Sequence, residues 1–333
     1  MAAGPSQYGS FVISLDLELM WGVRDHRTVA GYGAHVRGVR QALPAMLDLF
    51  DEFGVKATFA TVGLLFKGEK QGMLSASPAL KPSYSDANLS PFNGHFAQVG
   101  QNEVDDPHHF GTGLLRLITA RQQHEIATHT WSHYYCLEPG QTVEQFKADM
   151  ACAVSVAQEQ GHTIRSIVFP RNQYAPAYLE ACAELGVMCY RGNEDHWVHR
   201  PVPDSGRTPL RRALRLLDHY VNLTGHHTPR ADELKGQLPV NVPASRFLRP
   251  VSKRLSMLEP ARLKRITKSM THAAERQGIY HLWWHPHNFG VELEANIAFL
   301  RKVLEHFRTL ERTTGMRSET MWQVAQRIEP GLA

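Results

Sequence analysis

Strand-like and helix-like stretches alternate along most of this chain, and that alternation restricts its fold more than any other feature. Residues 11–15 are a short apolar run ending at Asp16, the pattern of a buried parallel strand with a polar residue at its C-terminal tip. Across residues 35–53 the side chains of Val39, Leu43, Met46, Leu47, Leu49 and Phe50 recur at helical spacing, and Gly54 follows as a stop. Residues 55–62 read as a second strand, which completes a βαβ unit and favours a parallel sheet. The rhythm resumes with a helix at 111–123, a strand at 124–127, a helix at 143–161, a strand at 166–169, a helix at 176–185 and a strand at 187–190. Residues 278–284 supply a last strand, followed by helices at 293–310 and 318–328.

Such repeats allow an open doubly wound sheet or a barrel. Polar residues suited to chemistry follow several different strands, and neither G-x-G-x-x-G nor G-x-x-x-x-G-K-[ST] marks a nucleotide-binding turn. A barrel gathers all those strand ends on one face. The predicted fold is therefore α/β, a distorted (β/α) barrel of about seven parallel strands, with one domain over residues 1–333. Two segments interrupt it: a Ser-, Pro-, Asn- and Gly-rich loop insertion at about 66–110, and a basic, irregular and then helical insertion at about 200–275. A loop as long as the first more often covers a site than idles.

No apolar run approaches the ~20 residues needed to cross a bilayer. The opening stretch MAAGPSQYGSFVISLDLELMWG lacks a basic leader region and a small-residue cleavage site. Cys136, Cys152, Cys182 and Cys189 lack C-x-x-C spacing and lie in apolar or helical segments, so they read as buried thiols. Both features point to a cytoplasmic protein. The net charge of +4 is too modest to imply nucleic-acid binding. Cations do cluster locally from Arg207 to Lys268, through Arg211, Arg212, Arg215, Arg246, Arg249 and Arg265, among leucines and Phe247. They suit a phosphate-linked sugar or peripheral contact with an anionic membrane surface, against the plainer reading of solvated helix faces.

Four pieces can carry chemistry. His129 and His133, four residues apart after a strand, share one face if the stretch is helical and can then share a metal ion. Thr130 stands where an H-E-x-x-H metalloprotease has its general base, so a base has to come from elsewhere. Asp16 and Glu18 point to the same side of an extended segment, so one can bind metal while the other takes a proton. Arg171, after the strand at 166–169, can pair with a buried carboxylate and lower its pKa. His285 and His287, after the last strand, offer an acid, with Trp283 and Trp284 as a pocket wall.

In this order the pieces resemble the polysaccharide deacetylase superfamily (NodB homology, carbohydrate esterase family 4), over residues 11 to about 289. Ser14-Leu15-Asp16-Leu17-Glu18 is similar to its first motif, and His124-Glu125-Ile126-Ala127-Thr128-His129-Thr130-Trp131-Ser132-His133 to its second and most specific. Phe169-Pro170-Arg171 looks like the third, Glu194-Asp195-His196-Trp197 like the fourth, and Leu282-Trp283-Trp284-His285 like the fifth. The resemblance implies Asp16 as base with Arg171 as its partner, His285 as acid with His287 competing for that role, and Glu18, His129 and His133 as metal ligands. It also implies a substrate wall that includes Trp131, Asn172, Asp195, Trp197, Trp284 and His287. One divalent ion is expected, Zn²⁺ first and Co²⁺, Mn²⁺, Ni²⁺ or Fe²⁺ as alternatives. Two departures stand out: Asp-x-Glu replaces adjacent aspartates in the first motif, and Phe-Pro-Arg replaces the commoner Phe-Arg-Pro order.

The implied activity is metal-dependent removal of an N-linked acetyl group from an amino sugar, with a nucleotide- or lipid-carrier-linked glycan precursor as the expected class. The alternatives are an allantoinase-like hydrolase of cyclic amides and ureides, and a non-catalytic glycan-binding module. A two-histidine, one-carboxylate iron oxygenase fits poorly, because those enzymes use a β-sandwich.

Overall fold

A computed structural model describes residues 8–200, 202–203 and 208–332; Arg207 of the basic stretch lies outside them. The strands are β1 (Ser10–Leu17), β2 (Thr58–Thr61), β3 (Glu125–Thr128), β4 (Ser166–Ile167), β5 (Cys189–Tyr190), β6 (Val240–Asn241), β7 (Arg246–Phe247), β8 (Ile279–Trp284) and β9 (Arg317–Glu319). The helices are α1 (Val29–Phe53), α2 (Lys70–Ser75), α3 (Thr112–Thr119), α4 (Val143–Glu159), α5 (Pro176–Glu184), α6 (Pro209–Asp218), α7 (Glu259–Arg276), α8 (Leu293–Thr314) and α9 (Met321–Ile328). Local signals set the ends of α1: the Thr28 hydroxyl caps it by accepting from Gly31 N, and Gly54 stops it with a left-handed φ of 62°.

All strand pairs are parallel, in the order β6-β5-β4-β3-β2-β1-β8-β7, with β9 added beside β1. The two edges of that path are nearly contiguous in sequence. Five chain steps separate Asn241 from Arg246 and reach at most about 18 Å, whereas seven inter-strand spacings of a flat sheet cover about 34 Å. The sheet therefore curls into a barrel. Val240, Val242 and Ala244 donate to carbonyls of Met188, Tyr190 and Gly192 on one side, and Ser245 and Leu248 donate to those of His281 and Trp283 on the other. Residues 240–248 thus act as one closing stave. It escaped sequence reading because Pro239, Pro243 and Pro250 break it into two-residue strands.

Strand alternation sorts the side chains into two layers. Phe11, Ile13, Leu15 and Leu17 of β1 face the helices and join the main core, as do Tyr280, Leu282 and Trp284 of β8. Val12, Ala60, Ala127, Val168, Cys189, Val240 and Ile279 face inward and fill the N-terminal end of the barrel, which Met321, Val324, Ala325 and Ile328 of α9 plug. Above that apolar floor the inward positions turn polar: Ser14, His281 and Arg191, then Asp16, then Glu18 and His285.

The 66–110 insertion holds α2 and short 3₁₀ turns, tied to α1 through Arg40 and Glu103 (2.7 Å). It lines a neighbouring cavity rather than the one above the strand ends, so it does not cover the site as its length suggests. No helix among the described residues is long and apolar enough to cross a membrane.

Candidate active site

Three donors meet where β1 and β3 end. Glu18 Oε2 lies 3.0 Å from His133 Nε2 and 3.3 Å from His129 Nε2, all three residues being buried. The histidines do not share a helix face: residues 129–135 are a loop, and Thr130 (φ 63°) and His133 (φ 58°) adopt left-handed backbone to fold it tightly. The Asp149 carboxylate on α4 pays for that turn by accepting from Trp131 N (2.7 Å), Ser132 N (3.3 Å) and the Ser132 hydroxyl. Burial pushes the Asp149 carboxyl up to about 6, against those hydrogen bonds.

His129 N donates to Thr61 O, which extends the β2–β3 ladder, and its Nδ1 donates to Val168 O (2.7 Å). That tautomer leaves Nε2 bare towards Glu18. The donor set fits a divalent ion: two imidazoles and a carboxylate, with ligand atoms within 4.8 Å of one another. Ligands on a tetrahedral ion at about 2.1 Å lie about 3.4 Å apart, close to the observed spacing. A Cβ on Gly22 would sit 1.9 Å from the Glu18 carboxyl carbon, so glycine is what leaves room for this carboxylate. Burial alone would raise the Glu18 pKa, but His285, His129 and His133 hold it well below the usual carboxylate range.

Asp16 stands beside this cluster, clasped by Arg191: Nη1 to Oδ1 and Nη2 to Oδ2, both 2.8 Å. Burial raises the Asp16 pKa, and Arg191, His129 and His285 more than offset it. Arg191 is itself fixed by Ser14 (2.9 Å), by Asn172 Oδ1 (3.0 Å) and by the Trp283 ring beneath its guanidinium (4.1 Å). His285 completes the group with Nε2 3.5 Å from Glu18 and 3.8 Å from Asp16, and it is less buried than Asp16, Glu18, His129 and His133. His287 stacks on His285 at 5.2 Å, and burial lowers it to about 3. With Glu18 and His285 it forms a second group of donors close enough to share a cation.

Several expectations need correction. Arg171 does not clasp Asp16; it reaches Asp25 and Glu138, and Arg191 does the clasping. A left-handed Arg171 (φ 54°) turns the third-motif side chain aside, while Arg191 enters straight from the tip of β5. Trp131 is fully buried over Gly63 and donates to Ser77, away from the cavity. Trp284 is also fully buried, against Phe50 and Phe289, because alternation along β8 turns Trp283 rather than Trp284 inward. Asp195 is exposed, and Trp197 is 49% exposed; neither lines the cavity, whereas Asn193 and Glu194 do. Asn172 and His287 do line it.

Sequence reading missed Arg191, Asp149 and Gly22. Arg191 follows a strand tip, the position that barrel geometry favours for function. Asp149 is a charge on the apolar face of α4, between Phe146 and Met150, and such a charge needs a buried partner.

The cavity over these groups measures about 940 Å³ and opens at the C-terminal ends of the strands. Residues 32–190 match the family model described as polysaccharide deacetylase. No curated protein matches the sequence. Among solved structures, a Mycobacterium smegmatis protein described as a polysaccharide deacetylase superposes with TM-score 0.60 at 15% identity, covering 99% of this chain and 93% of that one. Puue allantoinase gives 0.56 at 10% identity over 98% and 93%. A Pseudomonas aeruginosa PAO1 protein described as a polysaccharide deacetylase gives 0.55 at 11% over 97% and 91%. At such identities the superpositions speak for the fold alone, and the stretch that resembles the polysaccharide deacetylase model is residues 32–190.

Proposed function

We propose that this protein is a metal-dependent hydrolase that removes the N-acetyl group of an amino sugar, including sugars carried on a nucleotide or lipid phosphate. The observation that carries the reading is the convergence of Glu18, His129 and His133 on one point beside an Arg-clasped Asp16 and a half-open His285.

Amide hydrolysis needs an activated water, a stabilised oxyanion and a proton for the departing amine. Glu18, His129 and His133 would hold the ion, Zn²⁺ or another first-row metal, which when bound would supply Lewis acidity for water activation and carbonyl polarisation. Asp16 accepts the proton of the attacking water; the two Arg191 hydrogen bonds keep it ionised and aimed. His285 reaches the same space from the end of β8, the strand paired with β1, and donates a proton to the leaving nitrogen, with Asn288 Nδ2 3.3 Å from its Nδ1. Asn172, Trp283 and His287 line the cavity around the sugar.

The test strips the protein with chelator, restores single divalent metals and follows acetate release from a panel of N-acetyl sugars, with ring opening of a cyclic ureide in parallel. Metal-restored acetate release that falls at least about a hundredfold in Asp16→Asn supports the reading. Ring opening without acetate release replaces it with the cyclic-amide activity.

A further inference from the structure

Five arginines from the second insertion line the same cavity as the histidine–carboxylate cluster: Arg200, Arg212, Arg215, Arg246 and Arg249. Among the described residues, the acids of this insertion and its approach that line the cavity beside them are Asp218 and Glu194. Asp218 is already saturated by Arg246 Nη1 (3.0 Å), Leu223 N (2.9 Å) and Thr224 N (3.0 Å), with Arg265 at 3.6 Å. Glu194 lies against His199 at 3.8 Å. Among the described residues, neither Arg212 nor Arg249 has a carboxylate within ion-pairing distance.

Arg246 adds an independent observation. It is 3% exposed, its Nη1 serves Asp218, and its Nε and Nη2 have no hydrogen-bond partner. Buried guanidinium donors left unused in a cavity wall are costly unless an acceptor meets them. The positive field reaches the neighbouring imidazoles. Burial first, then Arg246, Arg249 and Arg262, hold His219 well below its usual range; burial, then Arg215, bring His199 to about 4. Size agrees with charge. A cavity of about 940 Å³ lies near the top of the roughly 300–1,000 Å³ that encloses a drug-sized ligand, so it has room beyond one sugar ring.

We propose that this end of the cavity is a subsite for a phosphate or diphosphate group on the substrate, with Arg212 and Arg249 as its outer contacts and Arg246 as its buried floor. Planar guanidinium forks match phosphate oxygens in pairs, which a cluster of lysines would not do. Leu216, Val202 and Phe247 line the cavity among these cations and supply apolar surface for the group between phosphate and sugar. The identity of the sugar rests on the deacetylase reading; the binding of the anion does not.

The test has two arms. In the first, calorimetry follows inorganic pyrophosphate binding to the full-length, metal-loaded protein and to Arg212→Gln/Arg249→Gln. The pair should weaken binding about tenfold or more. Arg212 is exposed, so the single Arg212→Gln variant, with a loss of about threefold, serves if the pair fails to fold. In the second arm, kcat/KM is compared for a free N-acetyl sugar, its nucleotide-diphosphate form and its short-prenyl-diphosphate form. At least one diphosphate form should exceed the free sugar by about a hundredfold, with that advantage reduced in the paired variant, and the better form names the carrier. Arginine-dependent pyrophosphate binding with no acetate release from any sugar would remove the deacetylase reading and leave the subsite standing. Pyrophosphate binding indifferent to both substitutions, or equal kcat/KM with and without the diphosphate, would overturn the subsite.

Discussion

Arg191 at the tip of β5 and Asp16 at the end of β1 lie 175 residues apart in the chain and meet through two parallel hydrogen bonds of 2.8 Å. The Arg191 side chain is fully buried and Asp16 shows only its edge to the cavity, so each largely replaces water for the other. Removing the arginine should be felt in both stability and catalysis. Arg191→Met leaves a buried carboxylate unpaired, an expected loss of about 3–5 kcal/mol in chemical denaturation. Asp16 is depressed in the folded state, so its contribution to stability is present above the ordinary carboxylate pKa and disappears as pH falls through the depressed value. In the variant burial prevails, the Asp16 pKa rises, and the acid limb of the pH–rate profile should move upward. Arg191→Lys keeps the charge but not the fork and should recover only part of the rate.

Gly22→Ala tests the metal cluster without touching a ligand. Its methyl would overlap the Glu18 carboxylate, which has to swing away from His129 and His133. Metal content after dialysis should drop while the thermal transition of the metal-free protein stays within about 1 kcal/mol of the parent, since a surface-cavity methyl disturbs little else. Full metal retention would show that Glu18 is dispensable as a ligand.

Asp149 acts on the site through the 129–133 loop. Asp149→Ala leaves two buried backbone N–H groups without an acceptor, and loss of such outer support typically weakens metal binding about 10–100-fold. Asp149→Asn keeps an oxygen for both N–H groups and a donor for Ser132, so it should restore most of the affinity. Competition against a graded chelator measures both, and equal losses in the two variants would make Asp149 merely structural.

Acid should unfold the protein early. Burial lowers His124, His133, His199 and His227 to about 4, and His281 and His287 to about 3. These groups bind fewer protons folded than unfolded between their depressed values and about 6.5. Stability therefore rises with pH across that window and is lost as pH falls through it. Asp149, raised to about 6, opposes the trend between about 4 and 6 but is one group against several. Urea midpoints should fall steeply from pH 6.5 to 4.5, and a flat profile would contradict the burial of these imidazoles.

The alternation of apolar runs was enough to read a parallel α/β barrel, because periods of two and 3.6 residues are written in consecutive side chains. The motif spacing likewise marked Asp16, Glu18, His129, His133 and His285, which the fold brings to one point. Partners across the barrel were not legible. Arg191 took the place expected for Arg171, and of the two tryptophans read as a pocket wall Trp283 faces the cavity while Trp284 does not, since a left-handed turn at 171 and a one-residue step along β8 decide which way a side chain faces. The stave at 240–248 also emerged only in three dimensions, where its hydrogen bonds go to β5 and β8 rather than to its sequence neighbours. Local pattern settles which elements form; long-range contact, whose energy no short window of residues contains, settles which side chains share a cavity.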